Sequence, residues 1–308
     1  MISVVFPTYN EEGNVRELHA RLKKTLDEMH EPYEIIAVDA PSTDNTLAIL
    51  KTLRPLKIVV FGHRTGPASA LNEGLRQAKG DVVVIIDADL QENPEDIPKL
   101  VSKLREGYDM VATLRMGRKD TWGRRLISRC ANLVTRTITG LHIRDFGSQF
   151  KVARREVFQD LFLYGEMHAF IPAICHARGF KVTEVPIVYN ERKSGKTKYS
   201  VFRVATLFLD LLVVKFFADY FMRPLMFFGG WGLASIFLGI VTAGAAIVLK
   251  LMGLWTFTQT PLPLLASLLV VVGMLLFMMG FLAEILFRIY YEGRGKMPYI
   301  VREVIENK

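Results

Sequence analysis

Cysteine is almost missing from this chain: Cys130 and Cys175 are the only two among 308 residues. They lie far apart with no metal-ligand spacing, and thiols in a reducing compartment stay reduced. Neither a disulfide framework nor a thiolate zinc centre is expected, and the six histidines form no zinc pattern. No Gly-x-Gly-x-x-Gly follows the first apolar run, which argues against an NAD-type Rossmann domain. Internal repeats, low-complexity tracts and nucleic-acid motifs are also lacking. The net charge of +8 therefore points to anionic lipid at a membrane surface and to anionic substrates.

Charge itself is missing from two long stretches, Leu225 to Leu249 and Leu251 to Leu282. Pro261 and Pro263 interrupt the second, so its best span is Leu264–Leu286, with Glu284 near the exit. Each stretch exceeds the roughly 20 residues that cross a bilayer, and two transmembrane helices are predicted there. Arg203, Lys215 and Arg223 precede the first span, Arg288, Arg294, Lys296 and Arg302 follow the second, and the connection carries Lys250 alone. That bias places both flanks in the cytoplasm. No signal peptide precedes the first strand, because Met1–Pro7 is too short and leads into a polar loop. A cytoplasmic N-terminal domain and a cytoplasmic C-terminus are expected.

What the first 113 residues do have is a βαβα rhythm. Strand-like runs at Ile2–Phe6, Glu34–Val38, Lys57–Phe61, Val82–Ile86 and Met110–Thr113 alternate with helix-like segments at Glu12–Met29, Thr43–Leu53, Pro67–Ala78 and Pro94–Glu106. This predicts a parallel sheet covered on both faces. A basic helical stretch at Trp122–Thr139 carries Arg124, Arg125, Arg129 and Arg136, and a short α+β region runs to Val188. The polar, glycine-containing segment Tyr189–Ser200 reads as a loop. After it, Tyr199–Phe221 has the composition of a helix lying in the membrane interface.

Within this frame Asp87 and Asp89 stand just beyond the apolar run Val82–Ile86, at the strand end where open α/β sheets bind ligands. An Asp-x-Asp there suits a divalent cation held against a diphosphate, since hard cations take carboxylate and phosphate oxygens together. Alone, the pattern also fits a turn or a helix cap. It is accompanied by Val4–Glu12, by Asp39–Thr46, by Gln91 and Pro94 after the acidic pair, and by Gly195–Tyr199 (Gly-Lys-Thr-Lys-Tyr).

In that order and spacing, the set resembles the inverting GT-A glycosyltransferases of family 2, in the branch that glycosylates polyprenyl phosphates. The resemblance covers nearly the whole chain, spans included. It implies a GT-A (Rossmann-like, mostly parallel sheet) α/β catalytic domain over residues 1–200. An interfacial amphipathic helix at 201–223, two transmembrane helices within 224–288 and a cytoplasmic tail at 289–308 would follow. It also implies a nucleotide pocket at Pro7, Tyr9 and Glu11. Asp39 would accept hydrogen bonds from base or ribose. The family has a second acid beside it where this chain has Ala40, so base recognition falls to Asp39 or to backbone groups. Capping of the next helix is the alternative role, favoured for Asp44 more than for Asp39.

Asp87 and Asp89 would hold the sugar nucleotide, Asp89 most directly through Mg²⁺ or Mn²⁺, with Gln91 near donor or acceptor. Arg115 and Arg118 suit the acceptor phosphate or the donor diphosphate, because guanidinium makes bidentate, charge-assisted bonds to phosphate. The helix arginines divide between that role and a solvated basic patch. Arg192, Lys196 and Lys198 would close over the diphosphate, with Gly195 allowing close approach. Asp145 matches an acid near the family's catalytic base position. A phosphate acceptor, however, has its second pKa near 6, is mostly dianionic at neutral pH, and needs no base. Asp145 is then expected to orient an arginine or a sugar hydroxyl. His168 lies in Met-His-Ala-Phe-Ile-Pro, where the family often carries an arginine beside the phenylalanine; here that neighbour is Ala169, and for His168 a packed imidazole is expected.

The expected activity is metal-dependent, inverting transfer of one sugar from a nucleotide sugar to undecaprenyl phosphate at the inner-membrane surface. UDP-glucose is favoured, and mannose, N-acetylglucosamine and 4-amino-arabinose donors stay open. GDP-mannose-dependent mannose transfer is one alternative; a weakly catalytic scaffold binding nucleotide sugar or lipid beside a flippase is another. A processive polysaccharide synthase is disfavoured by two spans and no Gln-x-x-Arg-Trp. The architecture resembles homo-oligomers, and a tetramer is expected.

Overall fold

Residues 1–63, 66–117, 132, 135–137, 139–159, 161, 163, 167–190, 216 and 224–292 are described in the computed structural model of this chain. Beginning at the first strand, β1 (Ile2–Thr8), β2 (Tyr33–Asp39), β3 (Lys57–Val60), β4 (Val82–Ile85), β5 (Met110–Met116), β6 (Lys151–Arg154) and β7 (Val182–Val188) form one sheet in the order β3-β2-β1-β4-β6-β5-β7. All neighbours are parallel except β6, which runs antiparallel to β4 and β5. The central strands are apolar on both faces because both faces are covered.

On one face lie α1 (Val15–Glu28) and α4 (Ile97–Arg105). Val15, Leu18, Leu22 and Leu26 of α1 recur at the three- and four-residue spacing of one helical stripe, and they pack with Ile97, Leu100, Val101 and Leu104 of α4 over Val4, Phe6 and Val84. The short α2 (Thr46–Leu50) adds Leu50 to that side. On the other face, α3 (Pro67–Gln77) and α5 (Ile171–Ala177) enclose Val5, Val38, Phe158, Met167 and Phe170. The helices predicted within the first 113 residues fall on the observed ones, with ends trimmed by up to three residues, and most of the predicted Trp122–Thr139 helix lies outside the described residues. The segment Pro94–Glu106 starts as a single 3₁₀ turn at Pro94–Asp96.

Beyond β7, α6 (Pro224–Leu251) and α7 (Leu262–Glu292) form a separate unit. At 28 and 31 residues they measure about 42 and 46 Å at 1.5 Å rise, long and apolar enough to cross a bilayer. Their backbones meet closely. A Cβ added to Gly232 would stand 2.7 Å from the Gly273 carbonyl oxygen, and one added to Gly273 would stand 2.6 Å from that of Gly232. Ser235 Oγ donates to the Leu269 carbonyl at 2.7 Å. The expected interfacial helix at 201–223 lies outside the described residues apart from Phe216.

Candidate active site

The antiparallel strand decides what shares the site edge. Parallel strands β1, β2, β4 and β5 all deliver their carboxyl ends to one edge of the sheet. Because β6 runs the other way, its amino end arrives at that same edge, with Lys151 in register beside Ile85 of β4 and Ala112 of β5. Residues 145–150, which lead into β6, therefore run along the last residues of β5. Asp145 is thereby brought to Arg115.

Those two form a bidentate pair. Arg115 Nε and Nη2 donate to Asp145 Oδ2 and Oδ1 at 2.6 and 2.8 Å, and both side chains are nearly buried. Gly147 N also donates to Asp145 Oδ1, at 3.1 Å. A Cβ at Gly147 would stand 2.8 Å from Arg115 Nη2, so any side chain there would have to displace the guanidinium from its fork. The guanidinium lies 5.2 Å from the ring centroid of Tyr189, a cation–π distance. Burial works against the arginine's charge, but the hydrogen bonds and charge of Asp145 outweigh it and hold its pKa above the ordinary value. Burial pushes the Tyr189 phenol up to about 12, so it is neutral.

Asp87 and Asp89 sit on the turn after β4. Leu90 takes φ +58° there, a left-handed conformation that costs a residue with a β-carbon of order 1 kcal/mol. Gln91 N donates to Asp89 Oδ1 at 3.2 Å across that turn. Asp87 keeps some accessible surface, yet protein encloses its carboxyl. That enclosure, with the charges of Glu92 and Asp89, holds its pKa well above the carboxylate range. Excess negative charge on hard oxygens is what a divalent cation relieves. No third His, Cys, Asp or Glu completes a ligand group among the described residues. This fits a Mg²⁺-type site, in which one or two carboxylates share the ion with substrate phosphates.

The other predicted residues divide. Pro7 and Asp39 lie at the carboxyl ends of β1 and β2, and Tyr9 and Glu11 on the loop that follows β1. Val5 O accepts from Ile86 N, and alternate residues of a strand point the same way, so Pro7 faces the side where β4 has already ended. Its missing N–H breaks no ladder bond there. Asp39 is fully buried and accepts from Thr8 Oγ1 at 3.0 Å, Ser42 Oγ at 2.6 Å and Ser42 N at 3.2 Å. Asp44 accepts from Thr46 N at 2.9 Å and Glu12 N at 3.3 Å, so it ties the two loops together at the start of α2. Gln91 Nε2 donates to the Asn190 carbonyl at 3.3 Å, and Asn190 N to the Gln91 carbonyl at 2.8 Å. Arg136 Nε donates to the Ile143 carbonyl at 2.8 Å, and His168 is buried. Arg118, Arg124, Arg125, Arg129, Arg192, Lys196 and Lys198 lie outside the described residues.

Sequence reasoning missed Glu92, Ser148 and Lys151. Ser148 Oγ and Phe150 N both donate to Glu92 Oε1, at 3.0 and 3.2 Å. Thr113 Oγ1 lies 2.6 Å from Ser148 Oγ and 2.8 Å from the Phe150 carbonyl, to which it donates. This buried lattice joins the acidic turn to the segment that carries Asp145. Lys151 had a faint signal, as a lone cation at the start of the apolar Val152-Ala153 pair.

A doubly covered, mostly parallel seven-stranded sheet with an acidic pair beyond β4 defines the GT-A type of glycosyltransferase domain. Solved structures share it: glucosyl-3-phosphoglycerate synthase from Mycobacterium tuberculosis, in complex with Mn²⁺, UDP and glucosyl-3-phosphoglycerate, superposes with a TM-score of 0.55 at 23% identity, covering 71% of this chain and 79% of that one. The same enzyme with Mn²⁺, UDP-glucose and glycerol 3-phosphate gives 0.56 at 22%, over 71% and 79%.

The chain belongs to the family described as Glycosyl transferase family 2, whose profile matches residues 3–162. Curated relatives are similar over nearly its whole length. The undecaprenyl-phosphate 4-deoxy-4-formamido-L-arabinose transferase of Proteus mirabilis (strain HI4320) is 32% identical, covering 99% of this chain and 94% of the relative. The protein of the same name from Edwardsiella ictaluri (strain 93-146) is 33% identical over the same shares.

Proposed function

We propose that this chain transfers one sugar from a nucleotide-diphosphate sugar to undecaprenyl phosphate, inverting the anomeric carbon to give a β-linked product. The observation that carries this is the likeness over 99% of the chain to transferases named for that acceptor. The chemistry of the site agrees. An acceptor phosphate oxygen, already dianionic at neutral pH, attacks the anomeric carbon. The bond from that carbon to the donor's diphosphate oxygen breaks, and the nucleoside diphosphate leaves with the electron pair. No proton is lost, so Asp145 has none to abstract. Its oxygens hold Arg115, which supplies fixed positive charge to phosphate oxygens. Arg118 and the Arg192, Lys196 and Lys198 loop are proposed to add charge around the same phosphates.

Asp87 and Asp89 would hold Mg²⁺ or Mn²⁺, which when bound supplies Lewis-acid stabilisation of the departing diphosphate. Pro7, Tyr9 and Glu11 line the nucleotide side, and Asp39 shapes it through Ser42 and the loop backbone. Gln91 steadies Asn190 at the foot of the 191–200 segment. A catalytic domain over 1–200, an interfacial helix at 201–223 and two spans within 224–288 are proposed, and the acceptor phosphate, which lies at headgroup level, is proposed to be met at the cytoplasmic face. The 289–308 tail and both termini lie on that side, and a tetramer is proposed. For the donor, the sugar in the relatives' names, 4-deoxy-4-formamido-L-arabinose, now stands ahead of the UDP-glucose favoured on architecture.

The test is lipid labelling in membranes. Radiolabelled nucleotide-linked formamido-arabinose, UDP-glucose and GDP-mannose are supplied with undecaprenyl phosphate and Mn²⁺ or Mg²⁺. One donor is expected to label lipid, and Asp89→Ala to abolish it. Equal labelling by Asp89→Ala would refute the assigned catalytic role of Asp89.

A further inference from the structure

Two charges beneath the acidic turn have no local explanation. Lys151 is 1% exposed, and its ammonium donates to the Ser148 carbonyl and, at 3.4 Å, to Gln149 Oε1, with no carboxylate in ion-pair contact among the described residues. Glu92 is 3% exposed, and its Oε2 is buried with no hydrogen-bond partner among the described residues. Burying an unpaired ammonium or carboxylate oxygen costs free energy that Met or Gln of similar volume would not. What sets these two apart is their place. Lys151 pairs in register with Ile85, two residues before Asp87, and Glu92 follows Asp89 by three on the same turn. Fully ionised, Asp87, Asp89, Glu92 and Asp145 would carry four negative charges against the two positive ones of Arg115 and Lys151, and burial together with that surplus holds the Asp87 pKa up until a cation offsets it. Two negative charges are left over among the described residues, which is the complement of one divalent cation.

We propose that Glu92 and Lys151 are opposed positioning charges that set the affinity of the Asp87–Asp89 pair for a divalent cation, Glu92 raising it and Lys151 lowering it. Neither acts as a ligand. Fixed charges in a buried site interact strongly because little solvent screens them. Without Lys151 the pocket would hold three unbalanced negative charges and retain the ion, together with the diphosphate it grips, after transfer. Without the charge of Glu92 it would hold one, and would bind the ion weakly. The inference rests on the metal reading given above.

The test is Mn²⁺ binding to the full chain in detergent at neutral pH, followed by the electron paramagnetic resonance signal of free Mn²⁺, with and without UDP. Lys151→Met is expected to tighten Mn²⁺ by roughly tenfold and Glu92→Gln to weaken it by a similar factor. The double substitution should return toward the native value. Glu92→Gln keeps the acceptor for Ser148 and Phe150, so it serves alone if Lys151→Met does not fold. Two variants that both weaken binding would mark a merely structural lattice and overturn the proposal, as would an unchanged affinity in Glu92→Gln. A native chain that binds no Mn²⁺ even with UDP would instead overturn the metal reading, a different result.

Discussion

Arg115 is the residue on which most of the site converges, through its fork on Asp145, its stacking on Tyr189 and the space left by Gly147. Lysine would keep the charge and lose the fork. Arg115→Lys is expected to lower turnover about 100-fold with an unchanged circular dichroism spectrum, read from initial rates of lipid labelling. A methyl at Gly147 drives into Nη2, so Gly147→Ala should cut the same rate roughly tenfold, the loss of a little over 1 kcal/mol of transition-state stabilisation. Lys151 offers a prediction in pH. Burial lowers its pKa to about 8, against the attraction of Glu92 and Asp87, while in the unfolded chain it is near 10.4. Below about 8 both states carry the proton and the full penalty of burying it. Between about 8 and 10 only the unfolded state does, so this group's contribution to stability rises with pH. The melting temperature of the native chain should therefore gain on that of Lys151→Met across this window. A constant difference between the two would contradict the shift.

At the scale of elements, legibility followed periodicity. The strands β1 to β5 and helices α1, α3 and α4 were readable because apolar runs and helical stripes are long there. β6 was not, since Lys151-Val152-Ala153-Arg154 is four residues bounded by cations, and a pattern rule sends a lysine to the surface. Yet this strand's reversed direction is what gathers the buried lattice. Asp145 was readable as a group that orients an arginine or a sugar hydroxyl, but not as the partner of Arg115 in particular, because thirty positions separate the two. Gln91, expected near donor or acceptor, also bonds to Asn190, a contact set by β7 lying beside β5. In the membrane pair, the Gly232–Gly273 contact leaves no room for side chains. Gly273→Ile should force the helices apart at a cost of about 1–3 kcal/mol, visible as a lower melting temperature in detergent with soluble-domain nucleotide binding retained.

For the molecule as a whole, two helices long and apolar enough to span a bilayer suit the proposed acceptor, a phosphate carried on membrane lipid. A reporter fused at the C-terminus is expected on the cytoplasmic side, and reporter activity from the opposite side would refute the two-span topology. One consequence of the reversed strand concerns how such an enzyme changes over time. The chain leaves β5 and re-enters β6 at the same edge, pinned on one side by Arg115 and on the other by Asp145 and Lys151. Leu141 and Ile143, at the end of the connection between residues 117 and 145, are held in the core beside the sheet, so change in this connection is tolerated only ahead of them, where its length does not bear on the sheet, the acidic turn or the fork. The catalytic frame and the segment bordering it are thus free to evolve at different rates, and a new acceptor can be acquired by replacing an insert while the chemistry is inherited.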